Sequence, residues 1–114
     1  MKVKRGDVVY LKRCAYADAK VGNGRVQAGV RPMLVVSNDF GNESSDIALV
    51  VALTSKSKKH VATHAFLDTT SSLALCEQIF TISQDDIVKK IASISKKEQQ
   101  IIDECLKLSL GVSK

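Results

Sequence analysis

Gly29-Val30-Arg31-Pro32-Met33-Leu34-Val35-Val36-Ser37, the cluster Asn38-Asp39-Phe40-Gly41-Asn42-Glu43-Ser44-Ser45, and Ile47-Ala48-Leu49-Val50-Val51-Ala52-Leu53-Thr54 together decide the fold of this chain. Met33 to Val36 and Ile47 to Leu53 are apolar runs rich in β-branched residues and bounded by polar turns, the pattern of buried strands. The cluster between them is made of turn-forming residues, which predicts a hairpin-like return. If the two runs pair antiparallel, opposite positions sum to about 85. Ser37 then lies near Ala48, and Arg31 lies opposite Thr54. A slip of one or two residues would still leave both at the same end of the sheet.

Outward from this pair, the pattern predicts a first strand at Asp7-Val8-Val9-Tyr10-Leu11, entered through Gly6. Lys12 to Val30 is irregular, with Gly22, Gly24 and Gly29 supplying turn freedom. A loop of that length in a compact domain tends to be functional. Further strands are predicted at His60 to Leu67, Ala74 to Cys76 and Gln78 to Ile82, and Ser83-Gln84-Asp85-Asp86 resembles a helix start. The C-terminal helix is the clearest element. Ser95-Lys96-Lys97-Glu98 fits a capping box, Ile101, Ile102, Cys105, Leu106, Ser109 and Leu110 recur at helical spacing, and Gly111 is a natural terminator. Five or six short strands with one packed helix predict a single, mainly β domain over residues 1–114, built as a small barrel-like sheet.

Charge is uneven. Residues 1–31 hold eight Lys or Arg against Asp7 and Asp18, a net +6, whereas the whole chain carries +5. Such a segment suits a polyanion or an acidic protein as partner, although a solvated basic surface has the same composition. Trp is absent and only two Tyr and three Phe are present, which argues against a row of aromatics stacking several bases. Cys14, Cys76 and Cys105 are odd in number and lack CxxC spacing, so free thiols are expected rather than a disulfide frame or a zinc site. No apolar stretch approaches the roughly 20 residues that span a bilayer, and a cytoplasmic protein is expected.

After Thr54 comes Ser55-Lys56-Ser57-Lys58-Lys59, a run of hydroxyls and cations. With Arg31 it forms a candidate phosphate cradle, because an Arg fork binds two phosphate oxygens and a Thr hydroxyl donates to the same group. Arg-Pro before a strand and Thr-Ser after one are also ordinary turn chemistry. Arg5-Gly6-Asp7 reads as a turn leading into a strand rather than an adhesion motif.

Lys4-Arg5-Gly6-Asp7-Val8-Val9-Tyr10, Gly29 to Asp39, Leu53-Thr54-Ser55-Lys56, Thr63-His64, Glu77-Gln78-Ile79-Phe80-Thr81-Ile82 and Ser109-Leu110-Gly111 follow the order of similar motifs in MazF/PemK toxins. The chain resembles that family over nearly its whole length. The resemblance implies an SH3-like barrel with a C-terminal helix, a homodimer, and the toxin of a type II toxin–antitoxin pair. It also implies metal-independent, cofactor-free cleavage of single-stranded RNA at short sequences, with an antitoxin as inhibitor. The RNA 2′-hydroxyl attacks, leaving a 2′,3′-cyclic phosphate and a 5′-hydroxyl. Carried onto matching positions, Arg31 stabilises the phosphorane and Thr54 positions a phosphate oxygen. Gln27, Ser55, Lys56, Lys58, Glu77 and Gln78 become candidate RNA contacts, with Glu77-Gln78 also readable as dimer support or plain surface. An Arg with pKa above about 12 is a poor base, so its electrostatic role is the stronger expectation.

Three departures accompany the resemblance: Val26 stands where many relatives carry Glu, Ala62 where Pro often precedes Thr-His, and Phe80 where Arg often follows Glu-Gln-Ile. Without a carboxylate at Val26, His64 becomes a candidate proton carrier, its unperturbed pKa near 6.5 being suited to that role. A His satisfying local hydrogen bonds is the plainer reading. Two other functions stay open at this point: a CcdB-like gyrase poison that acts by binding, and an antitoxin- or RNA-binding module with weakened catalysis.

Overall fold

The computed structural model describes residues 2–12, 31–55 and 61–112. Six strands, β1 (Asp7–Leu11), β2 (Arg31–Val35), β3 (Ile47–Thr54), β4 (His64–Leu67), β5 (Ser72–Ser83) and β6 (Ile87–Ser93), join in one sheet of order β4-β5-β3-β2-β1-β6. Every pairing is antiparallel. Among the described residues there are also a short helix α1 (Asp39–Ser44), the C-terminal helix α2 (Lys96–Leu110) and a 3₁₀ turn at Gln84–Asp86.

Strand alternation sorts the apolar residues into two clusters. Val9, Leu11, Met33, Val35, Val50, Ala52 and Leu75 fill the hollow of the bent sheet, joined by Ile87 from β6. Val8, Leu34, Val51, Leu53, Ala74 and Cys76 face the other way and meet Ile102, Cys105 and Leu106 of α2. This is the mainly β, barrel-like architecture with a packed C-terminal helix that the sequence predicts. Cys76 and Cys105 are free and buried. Burial, then the neighbouring Cys105 and Glu77, pushes the Cys76 thiol up to about 12. Cys14 lies outside the described residues.

Gly6 sets the entry to β1. Its φ of +93° is left-handed, and a Cβ there would stand 3.0 Å from Gln99 Oε1. Its N–H donates to Val35 O and its carbonyl accepts from Ile94 N, so it stitches two strand ends together. Asp7 is buried, accepting from Lys4 N and Ser93 Oγ and pairing with Lys90, while Arg5 reaches Val36 O and Asp103. The Arg-Gly-Asp run is therefore internal stitching.

Several elements differ from the sequence expectation. The Asn38–Ser45 cluster is not a simple turn, because Asn38 caps a helical turn by accepting from Gly41 N at 2.7 Å. Ala74 to Cys76 and Gln78 to Ile82 are halves of one strand. Ser83 does cap a helical turn, yet it closes after three residues and passes into β6. The predicted strand from His60 begins at His64, residues 61–63 forming a turn and His60 lying outside the described residues. Ile101 and Leu110 of α2 are exposed, so the buried stripe is narrower than the periodicity implies.

Helix α2 has the predicted capping box, and Gly111 terminates it in the left-handed conformation. Glu98 also accepts from Thr69 N and Oγ1, tying the helix to the β4–β5 link. Burial acts to raise the Glu98 pKa, but hydrogen bonds from Ser95 and Thr69 outweigh it and lower the value from 4.5 to about 2. The folded value is depressed, so the stabilisation is present above 4.5 and is lost as pH falls toward 2. Chemical denaturation across that window should show a steeper acid loss for the wild type than for Glu98→Gln. Parallel curves would remove Glu98 from the acid response.

Candidate active site

The β2–β3 register is Met33 to Ala52, Leu34 to Val51 and Val35 to Val50, each pair summing to 85. Arg31 opens β2 and Thr54 closes β3, each two residues beyond the last pair of this ladder, so both lie at the same end of the two strands. Arg31 pairs with Leu11 on its other side, and Thr54 pairs with Leu73, which in turn faces Phe66. Cross-strand partners share a face, so Thr54, Leu73 and Phe66 form one row. The neighbouring row on the same face runs through Met33, Ala52, Leu75 and His64.

A break in β5 shapes this region. Val51 pairs with Ile79 but Ala52 pairs with Leu75, so Cys76, Glu77 and Gln78 are bulged out of the β3 ladder. On the other side of β5, Cys76 N–H donates to Thr63 O at 3.0 Å. The bulge brings the Glu77 carboxylate to β4. Thr63 Oγ1 donates to Glu77 Oε1 at 2.9 Å, and His64 Nε2 lies 2.9 Å from Glu77 Oε2. Burial acts to raise the Glu77 pKa, but hydrogen bonds from His64, its own backbone and Thr63 hold it below its ordinary value. The carboxylate is charged at neutral pH and acts as an acceptor.

Of the expected site residues, Arg31 and Thr54 lie at the same end of the adjacent strands β2 and β3, Ser55 follows Thr54 in an exposed position, and His64 and Glu77 are joined directly. Gln78 is half-buried beside Glu77. Gln27, Lys56 and Lys58 lie outside the described residues, as does Val26. The Thr63–Glu77–His64 cluster is absent from the sequence expectation, which treats His64 and Glu77 separately. The Thr63-His64 and Glu77-Gln78 motifs flag these residues, but only the bulge brings Glu77 to His64.

A family model described as PemK-like, MazF-like toxin of type II toxin–antitoxin systems matches residues 4–110. Endoribonuclease EndoA of Bacillus subtilis (strain 168) is 37% identical over 119 aligned residues, covering 98% of this chain and 97% of that protein. Among solved structures, an endoribonuclease from a mycobacterial species aligns with a TM-score of 0.81 at 18% identity, covering 100% of this chain and 96% of the other. A MazE–MazF structure from Deinococcus radiodurans gives 0.76 at 18% identity over 99% of both chains. These structural likenesses establish the shared fold. The matched motifs, the 37% identity and the full-length coverage together establish that the chain belongs to the PemK-like, MazF-like toxin family of type II toxin–antitoxin systems.

Proposed function

We infer that this toxin is a sequence-specific endoribonuclease that cuts single-stranded RNA without a metal or other cofactor and acts as a cytoplasmic homodimer. The observation that supports this reading is that Arg31 opens β2 and Thr54 closes β3, adjacent antiparallel strands, at one end of the sheet. The name of the B. subtilis relative supports the activity.

In-line attack by a 2′-hydroxyl requires three things: loss of its proton, stabilisation of a crowded phosphorane, and protonation of the leaving 5′-oxygen. Arg31 supplies positive charge and paired N–H donors to the phosphorane oxygens. Thr54 fixes one of those oxygens, and Ser55, Lys56 and Lys58 hold the flanking backbone with Gln27. Glu77 and Gln78 contact the RNA from the β5 bulge. His64 is oriented by Glu77 and is the candidate proton carrier in a chain that has Val26 in place of a carboxylate. The products are a 2′,3′-cyclic phosphate and a 5′-hydroxyl.

The protein partner is an acidic antitoxin segment that covers the basic groove. The net charge of +6 over residues 1–31 supports this, as does a fold shared with a mycobacterial endoribonuclease solved with its cognate antitoxin. Incubation of purified protein with a long mixed-sequence RNA in excess EDTA, followed by mapping of the ends, tests the reading. Discrete cuts bearing cyclic phosphate are expected. No cutting, with gyrase inhibited instead, would overturn it in favour of a binding poison.

A further inference from the structure

Cys76 and Cys105 take no part in the chemistry proposed above, yet the fold brings them together. Cys76 opens the bulge in β5, immediately before Glu77, and Cys105 lies on the buried face of α2. Both belong to the apolar cluster between the sheet and that helix. Their thiols are hydrogen-bonded to each other, and the Cys105 thiol also reaches His64 O at 3.7 Å. A chain of two thiols therefore runs from the bulge through α2 to the backbone of β4. It ends on the carbonyl of the residue whose ring pairs with Glu77.

The two thiols are not equally sheltered. Cys76 is fully buried, whereas Cys105 is 7% exposed and stands one turn from the exposed Ile101 and Leu108. That flank of α2 is open to a small neutral oxidant, and Cys105 is the sulfur such a molecule meets first. Burial holds both thiols above their ordinary values, so at neutral pH they are protonated and slow to react. Such a pair passes over brief exposure to an oxidant and answers to a sustained one.

We propose that Cys76 and Cys105 form a redox site in which a peroxide joins them as an intrachain disulfide, tying α2 to the β5 bulge and disturbing the His64–Glu77 pair. Cys105 gives its proton to solvent and attacks one peroxide oxygen; the O–O bond breaks, hydroxide leaves and a sulfenic acid remains. The Cys76 sulfur, losing its own proton, then attacks the Cys105 sulfur and expels the sulfenic oxygen as water. The two thiols give up two electrons and two protons, and hydrogen peroxide becomes two waters. Sulfurs already in contact have only to close to a bond of about 2.05 Å. Oxidation consumes the proton that Cys105 offers to His64 O and pulls on the residue beside Glu77, so the change is felt at both members of the pair. A thiol reductant reverses it. The inference stands apart from the ribonuclease reading, because mass and stability report the disulfide whether or not RNA is cut.

The test uses the full chain carrying Cys14→Ser, which leaves this pair as its only cysteines. Folded protein is treated with hydrogen peroxide at neutral pH, and tryptic peptides are mapped by mass spectrometry with and without dithiothreitol. A peptide linking residues 76 and 105, two hydrogens lighter than its parts, is expected. Both free thiols should disappear, and Tm should rise by about 5 °C or more until dithiothreitol restores it. The His64 ring resonances should shift with the same time course. Cys76→Ala and Cys105→Ala, each added to Cys14→Ser, should show no linked peptide and no rise in Tm. Free thiols after prolonged peroxide, sulfinic acid without the linked peptide, or a link found only between two chains or only in urea would each overturn the proposal. A link that leaves the His64 resonances unmoved would overturn its coupling to the site.

Discussion

Arg31→Ala is expected to lower RNA cleavage by at least about 10³-fold while leaving the fold intact. Removing a single neutral donor from a site that stabilises developing charge costs about 10²- to 10³-fold. Arg31 brings a full charge and a two-pronged donor set, so its loss should lie at or beyond the upper end. Arg31→Lys retains charge but loses the fork, and should fall between wild type and Ala. Thr54→Ala should cost less than Arg31→Ala, because a hydroxyl supplies one hydrogen bond to the same oxygen, and Thr54→Ser should recover most of that loss. Initial rates on a defined RNA in EDTA, with circular dichroism as the folding control, read all four variants. Wild-type rates in Arg31→Ala would show that the chemistry is carried elsewhere.

The largest effect on stability is expected at Gln84. Its side chain is 3% exposed, and its amide binds four backbone groups. Nε2 donates to Asn42 O, Ser45 O and Ile47 O at 2.8 to 3.1 Å, while Oε1 accepts from Val3 N at 3.1 Å. One side chain thus closes the exit of α1, the start of β3 and the segment before β1. Gln84→Ala strands several buried groups, each worth about 1–3 kcal/mol when unsatisfied, so a loss of about 3 kcal/mol or more is expected. Gln84→Glu should be at least as damaging at neutral pH, because it sets a carboxylate against three carbonyl oxygens. Urea unfolding with an unchanged slope and a lower midpoint would confirm the mechanism. A shift of less than 1 kcal/mol (about one ordinary hydrogen bond) would refute it.

How much of this was legible in the residues depends on how each element announces itself. β1, β2, β3 and α2 combine long apolar patterns with clear boundaries, and the structure bears them out. β6 does not, because Lys89 and Lys90 interrupt its alternation and Val88 and Ile91 lie exposed on an edge strand. Its first residues also follow Ser83-Gln84-Asp85-Asp86, whose helix-start chemistry serves only a single turn. α1 is missed because Asn38 to Ser45 are turn formers whose helical role depends on tertiary contacts, notably the buried Asn42 side chain bonding to Ser37. The same contrast holds at the site. Arg31 and Thr54 belong to two strands that pair in the expected register, so addition alone puts them at the same end of the sheet. Glu77 and His64 meet through a three-residue bulge, which no pairing rule reveals in advance.

The place of β1 in the sheet has a bearing on how a toxic chain is made. Among the described strands β1 comes first along the chain, yet it lies between β2 and β6, and its partners on β6 run from Ile87 to Ser93. Pairing across so long a stretch of chain must wait for loop closure and is slow compared with local folding. During synthesis β1 therefore waits for its second partner until residues 87–93 have emerged, and α2, whose Ile102, Cys105 and Leu106 seal the other face, follows later still. The topology thus ties closure of both faces of the sheet to β6 and α2, elements far along the chain from the strand they complete.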